Sequence, residues 1–429
     1  MNVRIGAAAF GAAVVTAVSP ATGQVPLGPP FTVNTATAGD QFFPDVAVRP
    51  DGGFVVVWRS DQRDREDWDV VARWFAWDGT ALTGEVQVNG TATGDQSPPR
   101  VDSDRLGRFV FAWVNDARGI VARRFDRTGG PLSGEIEVTA SSAVARPSVS
   151  ATADGRFVVA WLHTGSPDFQ IEARRYTANG LPIGDAFVVA TFGNLGWQMR
   201  TAVEVNDDGS FLVVWGDGEE IFARRCDAAG NPIGAAVQVS LLDPMSFVSF
   251  DPDVGSDGAG EYRVFWSTDI NLEEVVSMTR TVTTSGTLGS LTSLGHPSCR
   301  PPAFSMTAGG DFVVTYFPFY GEDLGATRYD RDLNVLSDFV IAPNPDFYLS
   351  GAALAHGDSD SRELVAVWAE PPSDPFDRDI RARIFSARVF GDGFESGDTT
   401  AWEASVPESP RSAATWMPPS LCSARSIQP

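Results

Sequence analysis

The chain has 429 residues, 43% of them hydrophobic, with 42 Gly and 29 Pro, a composition that builds a large core and also supplies the turn residues that short strands need. Its 55 acidic and 32 basic residues leave a formal charge of −23, which argues against wrapping the phosphate backbone of nucleic acid or lying on an anionic lipid surface. Three cysteines, at 226, 299 and 422, are too few for a disulfide scaffold to be the main source of stability.

Residues 1–23 read as a signal peptide. Arg4 gives the positive start, residues 5–18 a small apolar core, and Ala21, Thr22 and Gly23 the small residues ahead of a cut before Gln24. The apolar core is too short for a membrane span, no cysteine follows it to carry a lipid anchor, and no later segment is apolar enough to cross a bilayer. The expectation is a protein that is secreted, periplasmic or on the cell surface, without membrane insertion.

The segment FTVN at 31–34 then reads as a strand with no partner beside it in sequence. From there the chain repeats itself. Seven apolar strands end on an aromatic residue, at Trp58, Trp113, Trp161, Trp215, Trp266, Tyr316 and Trp368, roughly every 50 residues, the period of one four-stranded propeller blade. Upstream of each anchor lies a short strand, such as PDVAV at 44–48 or TAVEV at 201–205. Downstream lies an alternating strand, such as VVARWF or IFARRC, then a Gly-bearing turn and a fourth strand, such as EVQV at 85–88 or FVV at 187–189. Helical periodicity is not sustained after the signal.

The fold class expected is therefore all-β, a seven-bladed β-propeller of four-stranded blades over 24–390. The seventh repeat lacks a fourth strand of its own, so residues 31–34 are assigned to close the last blade. Residues 391–429 hold the stretch GDGFESGDTTAW and a Pro- and Ser-rich tail expected to be disordered or processed. Cys226 stands where other repeats place Phe or Tyr and is read as core; Cys299 and Cys422 are the one pair worth considering for a bridge.

Antiparallel blades convert loop length into sidedness. Turns from first to second and from third to fourth strand, such as Asp51-Gly52 and Asp154-Gly155, are short and share one face. The opposite face carries the longer, differing connections at 60–69, 190–200, 317–323, 344–349 and 370–379, four of them in blades six, seven and one, which adjoin once the ring closes. An aromatic and acidic patch near this seam is the candidate site. In it Trp68, Phe319, Tyr320, Phe347, Tyr348 and Phe376 offer stacking surfaces, and Asp64, Asp67, Asp374, Asp377 and Asp379 offer ligands for hydroxyls or a cation. The competing reading has the aromatics folding back over the blade ends.

Other features read as structural. The arginine repeated in the third strand, at 73, 123, 174, 224, 328 and 383, recurs too regularly for a ligand site, and with Asp126, Asp227 and Asp330 nearby it is expected to form Arg–Asp pairs that fix blade edges. The three histidines, at 163, 296 and 356, show no zinc-ligand spacing, and no nucleophile elbow or phosphate loop is present, so no catalytic residue is assigned. The Asp-rich pieces VDSDRLG and GDSDSRE lack the twelfth-position ligand of an EF-hand and read as solvated turns; no cofactor is assigned, with calcium left as an alternative.

The motifs Gly-Asp-Gln at 39–41 and 94–96, P-x-V, DGxFVVxW and ARRFDxxG resemble the repeats of large secreted bacterial proteins, including adhesin-like and calcium-repeat exoproteins, over about residues 31–385. A secondary likeness is to the propeller repeats of the periplasmic protein TolB, whereas the sialidase Asp box is a poorer match. GDGFESGDTTAW is similar to a C-terminal motif of many exported Gram-negative proteins. The resemblance implies a secreted bacterial propeller and brings no common activity with it. The leading expectation is a non-catalytic binding or scaffolding propeller whose partner is a glycan or an extracellular protein, in an oligomeric state left open. The alternatives are a carbohydrate-active hydrolase or lyase using acidic residues of the long-loop face, and a structural module of a cell-surface assembly.

Overall fold

The computed structural model describes residues 24–386 apart from 38, 62–67, 92, 166–167, 194–199, 242–245, 259, 271–273, 298–301, 317–322, 344–351, 358–362 and 371–377. Every helix or strand among the described residues is a strand, and the strands form seven antiparallel sheets in a ring, a seven-bladed β-propeller. Blade 1 is typical: Gln41–Val48, Phe54–Ser60, Asp69–Phe75 and Val86–Gln87 run outward from the axis in chain order. Six of the seven anchor aromatics are buried, with Trp58, Trp113, Trp161 and Trp368 at 0% exposure, whereas Tyr316 is half-buried; Cys226 is a buried free thiol. Cys299 and Cys422 lie outside the described residues.

The Gly-Asp-Gln motif has a mechanical role. Gln41 Oε1 accepts from the Trp58 indole N–H at 2.8 Å, and Gln96 Oε1 from that of Trp113 at 2.8 Å, so a buried ring nitrogen finds its partner in the strand beside it. Gly39 turns the chain into that strand at a φ of 84°, where an added Cβ would come within 2.8 Å of the Asp61 carbonyl oxygen.

The repeated arginine holds blade to blade, but its partner is not the expected aspartate. Arg73 donates to the Val33 carbonyl at 2.7 Å, Arg123 to Val88 at 2.7 Å, Arg174 to Val138 at 3.1 Å and Arg224 to Val189 at 2.6 Å, each carbonyl standing at the outer strand of the preceding blade. Arg280 makes the same bond to Val239 at 3.0 Å, and Arg383 bonds Val340 and Ile341. A carbonyl at the end of an outer strand lacks a ladder partner, and a guanidinium aimed along the rim supplies one. Asp126, Asp227 and Asp330 instead accept N–H groups of their own turns, and among the described residues the repeated arginine pairs with a carboxylate only in blade 6, Arg328 with Asp311 at 2.8 Å.

The ring closes as expected from 31–34. Phe31–Thr32 pairs with Ala382 and Arg381 of Asp379–Ser386, and the seam extends further than the sequence suggests, because Val25–Pro26 also pairs with that strand. Asn34 locks the joint from the buried side: its Oδ1 accepts the Ile380 N–H at 2.7 Å while its Nδ2 donates to Asp379 Oδ1 at 2.7 Å. Asp379, offered by the sequence as a ligand for hydroxyls or a cation, is a buried residue of the clasp. Replacing Asn34 by Ala strands a buried N–H and a buried carboxylate, and is expected to cost about 1–3 kcal/mol in urea unfolding. Amide exchange should rise at Val33 and Ile380 more than at Trp215 across the ring; equal rises would show that the clasp is not a separate weak point.

Candidate functional site

The first strands of all seven blades surround an axial cavity of about 420 Å³. Their polar residues fall in layers, because equivalent positions are set by equivalent pairing. Asp45, Arg100, Ser148 and Asp253 each lie opposite the residue just before an anchor aromatic, namely Val57, Ala112, Ala160 and Phe265. Two residues further along come Asp102, Ser150 and Glu204, with Ser305 at the corresponding place in blade 6.

Most of these side chains perform one repeated task. Asp45 accepts the Val101 N–H at 3.0 Å, Asp102 that of Ala151 at 2.7 Å, Ser148 that of Val203 at 3.2 Å, Ser150 that of Val205 at 3.2 Å, and Ser305 that of His356 at 3.1 Å. In each case an oxygen of one blade meets the N–H one residue past its own layer in the next blade. The inner strands fan apart and cannot pair by ladder, so the side chains bridge them.

Crowding carboxyl groups here shifts them upward. Burial pushes Asp102 to about 7 against the bonds from Ala151 and Ser103, and Asp253 to about 6. Burial, with the charge of Asp102 added, raises Glu204 well above the usual range, and Ser150 Oγ donates to it at 3.2 Å. His356, whose Nδ1 lies 2.9 Å from Ser305 Oγ, is pushed down to about 3 by burial and by Arg328, so it stays neutral.

The sequence reading missed this channel. VDSDRLG is a solvated turn only in part: Arg105 and Leu106 are exposed in the turn, but Asp102 sits in the inner strand Gln96–Ser103, and Asp104 is buried, accepting the Leu106 and Arg108 N–H groups. A charged residue inside an otherwise apolar strand, as in TAVEV, was the available signal.

At the long-loop end the layering gives way to a mouth of unlike residues. In blades 1, 2, 3 and 5 the first strand bulges just before a proline, which has no N–H to give a ladder. Phe43, Arg146 and Asp251 stand on three of these bulges in the left-handed region, at φ of 51°, 56° and 51°. Arg200 enters from blade 4 and pairs with Asp251 at 2.8 Å, while Arg100 stands 4.0 Å from Asp45. Arg146 is exposed and makes no hydrogen bond or ion pair among the described residues, and the charges it feels are those of Arg200, Asp251 and Arg100.

Of the seam patch expected from sequence, Trp68 lies among the described residues. Its indole packs on the Arg59 guanidinium at 4.1 Å and on the Phe42 ring at 5.6 Å; Arg378 covers Phe42 at 4.6 Å and pairs with Asp40 at 3.3 Å. Aromatic and cationic groups thus form a strip from blade 7 across blade 1 to Asp95, which holds Arg59 at 3.4 Å. Asp64, Asp67, Phe319, Tyr320, Phe347, Tyr348, Asp374, Phe376 and Asp377 lie outside the described residues. His163, at the same face, sits 3.4 Å from Glu172. Among the described residues no group of three or more His, Cys, Asp or Glu is placed to hold a metal ion.

No family model matches this chain, and no curated protein does. Solved structures do. A protein of unknown function from Dyadobacter fermentans aligns with a TM-score of 0.52 at 13% identity, over 84% of this chain and 98% of its own. The polysaccharide lyase Uly1 aligns at 0.51 and 11% identity, over 85% and 100%. A further polysaccharide lyase, an ulvan lyase bound to -[GlcA(1-4)Rha3S]-, aligns at 0.52 and 9% identity, over 84% and 94%. At such identities the likeness is one of fold alone.

The raised carboxyls set a pH dependence. A carboxyl whose folded pKa exceeds its unfolded value of 3.8 contributes stability that is full below that value and is lost as pH climbs through the folded one, about 6 for Asp253 and about 7 for Asp102. The melting temperature is expected to fall between about pH 4 and pH 7, and Asp102→Asn should flatten the upper part of that fall. Identical slopes in the two proteins would place the titration elsewhere.

Proposed function

We propose that the chain is an exported, non-catalytic binding propeller that takes a glycan on its long-loop face, over the mouth of the axial cavity and along the aromatic strip toward Trp68. The observation that carries the reading is the contrast between the two ends of the ring. At the trimmed end, charges are matched within the protein: Arg105 with Asp207, Arg108 with Asp104, Arg127 with Asp51 and Arg331 with Asp257. At the long-loop end the repeat is broken by an exposed arginine without a partner among the described residues. Packing repeats around a ring, whereas a binding site breaks its symmetry.

Mixed arginine, carboxylate and aromatic groups suit sugars, whose hydroxyls take hydrogen bonds and whose ring faces stack. Two structural neighbours are, by name, polysaccharide lyases, a precedent for sugar chains on rings of this shape. The non-catalytic part rests on Asp45 and Asp102, whose carboxyl oxygens are occupied by backbone N–H groups of their own and the neighbouring blade. A second reading, a hydrolase or lyase, has one observation in its favour: Asp102 and Glu204 share a buried wall, both raised, a condition found in general acids.

Phe43→Gly is the discriminating variant, because it removes the exposed ring while relieving the left-handed backbone. On a glycan array the wild type is expected to bind saturably, and Phe43→Gly to bind roughly tenfold more weakly at an unchanged melting temperature. Absence of binding across the array would sink the glycan reading in favour of a protein ligand or a structural role. Release of reducing ends or unsaturated termini from any polysaccharide, lost in Glu204→Gln, would establish the enzyme instead.

A further inference from the structure

The bulges at the channel mouth are the point where backbone and side chain disagree. A left-handed residue in the interior of a sheet suits glycine, and a residue with a Cβ pays a conformational penalty there of order 1 kcal/mol or more. Blades 1, 3 and 5 nevertheless carry Phe43, Arg146 and Asp251 at these positions, each followed by a proline that pins the bulge. Fold alone does not ask for these side chains. What they share is their place, on equivalent bulges at the long-loop end of the inner strands, just before the residues that line the axial cavity.

Three arginines converge on that rim from consecutive blades: Arg100 from blade 2, Arg146 from blade 3 and Arg200 from blade 4. Two form ion pairs, Arg100 with Asp45 and Arg200 with Asp251, whereas Arg146 lies in the field of Asp251 and of both arginines without an ion pair among the described residues. Guanidinium groups held in one another's field favour an anion between them. The anion is set near groups that accept from hydroxyls, since Asp45 and Asp253 line the cavity beside Arg100 and Arg200, and Asp251 pairs with Arg200. The cavity below, about 420 Å³, lies within the range of pockets that take one or two sugar rings.

We propose that Arg146, with Arg100 and Arg200, binds the carboxylate of a uronic acid residue at the channel mouth, with the rim aspartates taking its hydroxyls. This rests on the glycan-binding reading above and names the sugar class. The ligand enters end-on, as a terminal or side-branch uronate. An extended polyanion lying across the face would meet the field of a chain carrying a formal charge of −23, whereas one carboxylate needs only the local arginines. Arg146 contributes a planar, bidentate donor pair, which a lysine does not reproduce.

The test is calorimetric titration of the full protein with D-glucuronate, D-glucose and inorganic phosphate in turn, for the wild type, Arg146→Gly and Arg146→Lys. Arg146→Gly frees the left-handed backbone, so its melting temperature is expected not to fall. The expected result is saturable binding of glucuronate, at least tenfold weaker binding of glucose and of phosphate, loss of at least tenfold in affinity for glucuronate in Arg146→Gly, and only partial recovery in Arg146→Lys. Glucose bound as well as glucuronate would overturn anion recognition, and phosphate bound as well would overturn recognition of the sugar. No binding of glucuronate at tens of millimolar, or equal binding by all three proteins, would overturn the site. Failure here and failure of the broader reading are separable: array binding to neutral glycans that Arg146→Gly leaves intact removes this inference alone, and an array blank for every glycan removes both.

Discussion

A ring of separate sheets holds together only where one sheet touches the next, and in this chain that contact is made at both radii by side chains that reach a neighbour's backbone. Near the outer rim a guanidinium donates to a carbonyl of the preceding blade; at the axis a carboxyl or hydroxyl oxygen accepts an N–H of the following blade. The directions are complementary because the unpaired groups differ. The last strand leaves a carbonyl without a partner and the first strand an amide, and each is costly to bury unsatisfied. Between these radii aromatic side chains fill the space between sheets, as where Trp74 of blade 1 packs against Phe109, Phe111 and Phe125 of blade 2. The clasp is the same solution at the seam, with Asn34 serving as donor and acceptor at once.

Using acids for the inner contact has a consequence. A serine bridges two inner strands as well as an aspartate does, and in blade 3 it does so twice. Where the chain uses Asp45 and Asp102 instead, and sets Glu204 and Asp253 in the same layers, the channel acquires a set of carboxyls that burial drives toward their neutral form. The interior of the ring is thus less negative than its composition implies, while the outer surface carries much of the excess charge. Such a gradient lowers the local cost of an anion at the mouth below what the total charge suggests.

What could be read from the chain divides along the same physical line. The seven anchors, the turns and the closing strand were legible because each is a local event: an aromatic ending an apolar strand, a glycine at positive φ, a strand left over at one terminus and missing at the other. Arg280 escaped notice because MTRTV departs from the ARR pattern, although its bond to Val239 is the one its counterparts make. The partner of the repeated arginine was misassigned for a related reason. Asp126 is near Arg123 in sequence, but on a strand a residue three positions on points to the other face, and the group actually met is a carbonyl in the preceding blade. The channel was illegible because its meaning lies in pairs some 50 residues apart, such as Asp102 with Ala151, where neither sequence neighbourhood shows that the other exists.

Trp68 and the bulge at Phe43 are linked through one strand. Phe42 belongs to the first strand of blade 1 and touches both Trp68, reached through the long connection at 61–68, and Phe43 on the mouth itself, at 5.9 Å. Ring contacts therefore run from Phe43 through Phe42 to Trp68. Their inner end is set by something loop length does not report, a bulge that recurs in four blades and carries a different residue in each. Repetition makes the ring, so the information specific to this protein lies where a repeated backbone feature is given unrepeated side chains. By that criterion Phe43, Arg146 and Asp251 are more specific to this chain than any of its seven aromatic anchors.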